Sequence, residues 1–178
     1  MNIESIVLAG GCFWCTEAVF KQIRGVQAVE SGYANGHVAN PSYEHVCSGD
    51  TGHAEVVRVD FDPSVVSLEK LLEVFFHTHD PTTLNRQGAD VGTQYRSGIY
   101  FSNPVQEELA KSMVNQFNRD QLFGKTVVTE IQPLENYFPA ENYHQNYFEQ
   151  HPNQGYCAWV VGPKVEKFRK TFHELLKN

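Results

Sequence analysis

The sequence of 178 residues contains no long apolar segment and no cluster of basic residues. A helix that crosses a membrane needs about 20 consecutive, mostly apolar residues, so we expect no membrane-spanning helix. Lysine and arginine number 14 against 21 aspartates and glutamates, a formal net charge of −7. Because nucleic acids and anionic lipids are bound through basic surfaces, this balance argues against both as partners. No signal-peptide pattern is present at the N-terminus, and we therefore expect a cytoplasmic protein.

Cysteine is scarce as well, with four residues, at positions 12, 15, 47 and 157. This is too few for the disulfide framework of a small secreted domain, so in a reducing compartment these thiols indicate metal, redox or nucleophilic chemistry, or simple burial. A structural zinc site normally takes two pairs of ligands. Cys12 and Cys15 form one C-x-x-C pair, but Cys47 and Cys157 are isolated. Zinc is therefore a weak interpretation, and we expect no metal and no organic cofactor.

The chain has no internal repeat and no low-complexity segment, and we predict one catalytic domain over residues 1–178. Apolar periodicity, glycine and proline breaks and helix caps predict the elements. Their order is β-α-β-β-α-β followed by α-β, which indicates an α/β fold, an α+β two-layer sandwich around a ferredoxin-like split β-α-β core with a mixed sheet. The residues from about 133 to 178 form an irregular C-terminal extension. The predicted strands are 3–9, 26–33, 53–61, 97–101 and 127–131, and the predicted helices are 13–23, 68–76, 104–117, 143–150 and 165–176.

Cys12 follows a predicted strand and a Gly-Gly turn, at the first turn of a predicted helix. Unpaired N–H groups and the helix dipole favour an anion at this place, so we expect a lowered pKa and a reactive thiol. A buried structural cysteine is the alternative, since free cysteine is among the most buried residue types. Cys15 lies one turn further on the same side of the helix, and the pattern does not decide between a resolving partner and a packed thiol.

Glu55 shares the apolar face of the strand 53–61 with Val57, Val59 and Phe61. A partly desolvated carboxyl group has a raised pKa and can serve as a general acid near neutral pH. The alternatives are a solvated strand end or an ion pair with an arginine such as Arg96.

Other candidate residues are weaker when taken singly. Most tyrosines that flank polar segments are expected to be structural, and Asp90 can cap a turn in the aperiodic segment 77–95. Cys157 follows a glycine in the C-terminal extension, where a mobile segment would allow a thiol to reach a distant one, as a resolving cysteine must. A buried small side chain beside Trp159 is the alternative.

Four blocks in order, GGCFWCTE, PSYEHVCSGDTGHAEVVRV, DVGTQYRSGIYF and ENYHQNYFEQHP, resemble the signature blocks of type A peptide methionine sulfoxide reductases. The resemblance extends from about Ile6 to Cys157. It implies an enzyme that reduces methionine-S-sulfoxide, free or in proteins, and so repairs oxidative damage. By the same resemblance thioredoxin is the external reductant, and we expect a monomer.

The resemblance also implies roles for individual residues. Cys12 matches the nucleophile and Glu55 the acid that protonates the sulfoxide oxygen. Tyr43 and Tyr95 match the tyrosines that hold this oxygen, and Cys157 matches the resolving cysteine. Phe13 and Trp14 match the aromatic pocket for the S-methyl group, and Asp90 matches a residue that binds the substrate's backbone amide or a water.

Many family members have glycine in place of Cys15, so Cys15 is a possible alternative resolving or relay residue. Two rival interpretations remain at this level. A thioredoxin-like oxidoreductase would use Cys12 and Cys15 as its dithiol, and a zinc-binding module would bind stoichiometric zinc.

Overall fold

The computed structural model describes residues 2–177 and shows a mixed six-stranded sheet covered by helices. Short 3-10 turns occupy residues 93–95, 142–144 and 173–175, and a π-helical turn occupies residues 157–161. The strands are β1 (Glu4–Gly10), β2 (Val26–Ala34), β3 (Ala54–Phe61), β4 (Arg86–Gln87), β5 (Asp90–Val91), β6 (Ser97–Phe101), β7 (Glu130–Pro133) and β8 (Tyr137–Pro139). The helices are α1 (Phe13–Phe20), α2 (Tyr43–Cys47), α3 (Leu68–Thr78), α4 (Pro104–Arg119), α5 (Tyr147–Gln150) and α6 (Gly162–Thr171).

The sheet has the strand order β7-β6-β1-β3-β2-β8. The β6–β7 pair is parallel and the other neighbouring pairs are antiparallel, so the sheet is mixed as predicted. Its four central strands, β6-β1-β3-β2, have the order of a ferredoxin-like split β-α-β unit. The predicted fold class is thus confirmed.

The main core lies between one face of this sheet and the helices. Ile6 and Leu8 of β1 and Val57 and Val59 of β3 point into it, in alternation with residues of the other face. The clearest strand pattern of the sequence therefore corresponds to the central strand pair. None of the helices in the described part of the chain is long and apolar enough to cross a membrane.

The last core strand begins three residues later than predicted, at Glu130. Val127 and Val128 make other hydrogen bonds: their N–H groups donate to the Asn118 side chain (2.9 Å) and to the Pro81 carbonyl (2.8 Å). The apolar pair thus ties α4 to the loop after α3 instead of extending the sheet.

The C-terminal extension combines short helices with one strand that the sequence did not predict. β8 pairs with β2 at the edge of the sheet. The predicted helix 143–150 is interrupted because Asn146 adopts φ +57°, a left-handed conformation that no α-helix continues through. The last helix, α6, begins at Gly162 rather than at 165 and ends at Thr171.

Candidate active site

The turn that presents Cys12 depends on a glycine. β1 ends at Gly10, Gly11 has φ +90°, and Cys12 is the N-cap residue of α1. A Cβ atom on residue 11 would come within 2.6 Å of the Gln87 side chain. Only glycine combines this backbone conformation with so close an approach, so the Gly-Gly pair of the opening motif places the sulfur at the end of the helix.

Cys12 lies at the helix N-terminus as predicted, but its pKa shifts in the other direction. Burial raises the pKa of the Cys12 thiol, and a hydrogen bond with Cys15 and a charge on Glu55 add to the rise. The backbone N–H of Trp14 does lower this pKa, as the helix-end argument requires, but by less than burial raises it. The expectation of a lowered pKa was wrong because desolvation outweighs the helix terminus at this site.

Glu55 is buried next to this turn. Its side chain is 1% exposed, and its Oε1 accepts a hydrogen bond of 3.2 Å from the N–H of Phe13, the residue after Cys12. Its Oε2 has no partner among the described residues. Burial raises the pKa of Glu55 to about 8, against the weaker opposing effect of the Phe13 N–H. The carboxyl group is therefore protonated at neutral pH.

Both alternatives for Glu55 disagree with this geometry. The residue is not at a solvated strand end, since it is buried and opposite Tyr33 in the β2–β3 register. Arg96 does not pair with it either; the Arg96 side chain pairs with Glu130 at 3.2 Å.

Tyr43 and Tyr95 come from two separate elements, and both hydroxyls are near enough to Glu55 for its charge to affect their pKa values. Tyr43 is the first residue of α2, and Tyr95 ends the 3-10 turn that precedes β6. Burial and the nearby charge of Glu55 raise the pKa of both hydroxyls, so both remain donors at any physiological pH. The thiol of Cys47 lies beside both hydroxyls.

Phe13 and Trp14 belong to an aromatic wall. The Phe13 ring is buried between Tyr33 (5.7 Å) and Tyr43 (6.4 Å). The half-buried Trp14 ring stacks on Tyr147, with centroids 3.9 Å apart and an interplanar angle of 6°. Trp14 therefore supplies the accessible part of this wall and Phe13 its base.

His144 and Glu141, which sequence reasoning did not single out, fix this wall. The indole N–H of Trp14 donates to His144 Nδ1 at 3.1 Å, which places the proton of the neutral ring on Nε2. The two oxygens of Glu141 accept from the Tyr33 hydroxyl (2.7 Å) and the Tyr43 N–H (2.9 Å). Both residues lie in the ENYHQNY block, and this block is the sequence signal by which they could have been found.

The four cysteines are all unpaired. The thiols of Cys12 and Cys15 touch, and the hydrogen bond from Cys12 is the main cause that lowers the pKa of Cys15. Cys157 is fully buried, so burial raises the pKa of its thiol, and a charge on Cys15 adds to the rise. The segment around Cys157 is helical, and Trp159 is 83% exposed, so Cys157 is buried without cover from that ring.

Asp90 joins this group through a residue that the sequence did not suggest. The hydroxyl of Tyr156 donates to Asp90 Oδ2 at 2.5 Å. The Tyr156 ring meets Trp14 edge-on, at 5.9 Å between centroids. Within residues 2–177, no three histidine, cysteine or acidic side chains converge to hold a metal ion.

Comparison with protein families gives one match over most of the chain, to a model described as peptide methionine sulfoxide reductase, at residues 4–176. Peptide methionine sulfoxide reductase MsrA of Deinococcus radiodurans is 54% identical over 98% of this chain and 84% of its own length. MsrA of Acinetobacter baumannii is 53% identical over 99% of this chain and its own full length.

Solved structures agree with the sequence relatives. Reduced Mxr1 of Saccharomyces cerevisiae has a TM-score of 0.80 at 39% identity, covering 88% of this chain and 90% of its own. Methionine sulfoxide reductase A of Corynebacterium diphtheriae has 0.81 at 36% identity, covering 85% and 76%. A structure of Mxr1 in complex with Trx2 has 0.57 at 28% identity, covering 82% and 85%.

Proposed function

The chain belongs to the peptide methionine sulfoxide reductase family and is an oxidoreductase of its MsrA type, and we propose that it reduces the S epimer of methionine sulfoxide through Cys12 and Glu55. Free and peptide-bound methionine sulfoxide are both substrates, so the protein serves in repair of oxidised proteins in the cytoplasm. The contact between the buried Glu55 carboxyl group and the Phe13 N–H, one residue from the Cys12 sulfur, carries this proposal.

The first step needs an acid and a nucleophile on the same sulfoxide. A sulfoxide sulfur becomes electrophilic when its oxygen is protonated or strongly hydrogen-bonded, which is the task of a neutral carboxylic acid. Glu55, with a pKa of about 8, holds such a proton at pH 7. Attack by Cys12 then moves the oxygen from methionine to the enzyme, giving methionine and a Cys12 sulfenic acid.

Tyr43 and Tyr95 assist the same oxygen in this proposal. Their hydroxyls lie near enough to Glu55 to be affected by its charge, and they stay protonated. Fixed donors aimed at an oxygen that gains negative charge stabilise the transition state without reorganisation. Phe13 and Trp14 bind the S-methyl group through the apolar wall, and Asp90 accepts a hydrogen bond from the substrate's backbone amide or from a water.

Cys157 resolves the sulfenic acid. Its thiol condenses with the Cys12 sulfenic acid, which forms a disulfide and releases water. Because Cys15 touches Cys12 and is near enough to Cys157 for its charge to raise the pKa of that thiol, the alternative is a Cys12–Cys15 bond that passes to Cys157 by exchange. A thioredoxin dithiol then reduces the final disulfide, and the Trx2 complex of the related Mxr1 supports this choice of reductant. The sequence of steps uses thiols alone, with no metal or organic cofactor and with the chain as a monomer.

One set of variants tests the proposal. Cys12→Ser should release no methionine, whereas Cys157→Ser should release about one methionine per enzyme, because only resolution is blocked. Cys47→Ser serves as the control: its hydroxyl can replace the thiol beside Tyr43 and Tyr95, so this variant should still turn over with thioredoxin. Full thioredoxin-dependent turnover by Cys157→Ser would exclude its resolving role.

Disulfide mapping by mass spectrometry after a single turnover decides the route. A Cys12–Cys157 product supports direct resolution. A Cys12–Cys15 product that persists in the native chain would overturn the assignment of Cys157, and one that accumulates only in Cys157→Ser would establish Cys15 as a relay.

A further inference from the structure

Tyr156 stands at the junction of the substrate site and the resolving cysteine. It immediately precedes Cys157, its hydroxyl bonds to Asp90, and its ring edge faces Trp14. Asp90 and Trp14 are two of the residues that the proposed function assigns to substrate. A single side chain therefore occupies part of the substrate's place and is covalently next to the thiol that acts second.

The position of Cys157 makes this junction important. Cys157 is 0% exposed and its N–H bonds to Gln154 Oε1 at 3.0 Å. A disulfide requires Cα atoms about 4.4–6.8 Å apart with converging Cβ atoms. Cys157 is buried on a helical turn and is not bonded to Cys12, so we expect resolution to require a movement of this segment.

The chain before Tyr156 offers little resistance to such a movement. Residues 151–155 are all exposed, and a Cβ on Gly155 would meet no atom within 4 Å. The turn that follows, at residues 157–161, is π-helical, a geometry that is rare and recurs at functional sites. The 2.5 Å bond from Tyr156 to the Asp90 carboxylate is thus a strong point of attachment between β5 and the segment that carries Cys157.

We infer that Tyr156 is a positioning residue that keeps Cys157 in the core until the substrate takes over Asp90. The inference rests on the proposed function and adds an order of events to it. A substrate amide that bonds to Asp90 removes the acceptor of the Tyr156 hydroxyl, and the segment carrying Cys157 is released. The Cys157 thiol thereby becomes available when a sulfenic acid is about to form on Cys12.

Alkylation of Cys157 measures its release directly. In Cys12→Ser protein, which we expect to bind substrate without turnover, iodoacetamide labelling is followed at each cysteine by peptide mass mapping. If reclosing is fast, the labelling rate follows the population of the open segment. Loss of a hydrogen bond to a charged group should make Tyr156→Phe label at Cys157 roughly tenfold to a hundredfold faster.

A matched control exists elsewhere in the fold. The Tyr137 hydroxyl bonds to the Glu30 carboxylate at 2.7 Å, and Tyr137 is half-buried like Tyr156. Tyr137→Phe removes the same kind of bond at the β8 edge of the six-stranded sheet. It should change the rate of Cys157 labelling less than twofold. Equal acceleration by both variants would show general loosening and would overturn the inference.

Adding substrate distinguishes a Tyr156–Asp90 bond that substrate releases, here called a latch, from a bond that is only structural. N-acetyl methionine-S-sulfoxide amide, which offers backbone amides to Asp90, should accelerate Cys157 labelling in Cys12→Ser protein and have little further effect when Tyr156→Phe is added. Unchanged or slower labelling with this substrate, or a Tyr156→Phe rate equal to that of the parent, would refute the latch. Methionine release by the native chain is measured separately. Its absence refutes the proposed function, whereas its presence together with Cys157 labelling that does not respond to substrate refutes this inference alone.

Discussion

Replacing Glu55 with glutamine tests whether the site depends on a proton stored in the protein. The pKa of Glu55 is about 8 in the fold, against an ordinary value of 4.5, and burial is the main cause. Glutamine has nearly the same shape and a donor group, but it does not titrate. The variant therefore removes the ionisation while it keeps the packing.

The stability effect has a definite sign. Between pH 4.5 and pH 8 the folded chain holds a proton on Glu55 that the unfolded chain has lost. Stability falls with pH wherever the folded state binds more protons, by about 1.4 kcal/mol per pH unit for one proton. From pH 4.5 to pH 7 this amounts to roughly 3 kcal/mol for Glu55 alone. Below pH 4.5 both states are protonated and the effect vanishes.

Urea unfolding of the native chain and of Glu55→Gln at several pH values measures this difference. The free energy of unfolding of Glu55→Gln, relative to the native chain, should rise by about 1 kcal/mol or more per unit between pH 5 and pH 8 and then level off. Other titrating groups cancel in the comparison. Parallel curves across this range would refute the buried, protonated carboxyl group.

The kinetic readout uses the first methionine released per enzyme. The native rate should lose a component above about pH 8 as Glu55 ionises. Glu55→Gln, which keeps a donor, should be slower but lack this component, and Glu55→Ala should be slower still. An alanine variant as fast as the glutamine variant would exclude a donor role.

Two further predictions use matched controls. Gly11→Ala should destabilise the fold by about 1–3 kcal/mol and slow the first turnover, because its Cβ would meet the Gln87 side chain at 2.6 Å. Gly49 also has a positive φ, +83°, but a Cβ there would meet open space. Gly49→Ala should therefore show the cost of the backbone conformation alone in the same thermal unfolding assay. Tyr43→Phe and Tyr95→Phe should each slow release of the first methionine by roughly a hundredfold or more, whereas Tyr137→Phe should leave it within twofold. A single-turnover rate equal to the native rate would remove that hydroxyl from the proposal.

The sheet could be predicted because its signal is local. Strict alternation over 53–61 appears as β3 (Ala54–Phe61), and the order of elements suffices for the split β-α-β arrangement. β8 could not be predicted in this way: it is three residues long, contains a proline and forms only because β2 offers it an edge. The same limit applies to Asn146, whose left-handed backbone is accommodated by a bond from its N–H to the buried Glu17.

The same distinction between local signals and tertiary contacts applies to the candidate site. The strand pattern alone places Glu55 among apolar residues, and the turn places Cys12 at a helix end. The direction of the Cys12 pKa shift depends on how completely neighbours from distant segments exclude water, and this is a tertiary property. The Tyr156–Asp90 bond, between residues 66 positions apart, has no local signal at all.

Burial favours the protonated form of both central groups, the Glu55 carboxyl and the Cys12 thiol. The same desolvation that keeps Glu55 protonated also keeps Cys12 protonated, and a charge on Glu55 would raise the pKa of Cys12 further. The site therefore favours the neutral acid at the expense of the thiolate. Only the Trp14 N–H opposes this for the sulfur, because Cys15, whose own pKa is lowered, accepts a hydrogen bond from the Cys12 thiol and thereby raises the pKa of Cys12 further. Cys15 thus belongs to the chemistry of Cys12 by contact, whichever cysteine forms the final disulfide.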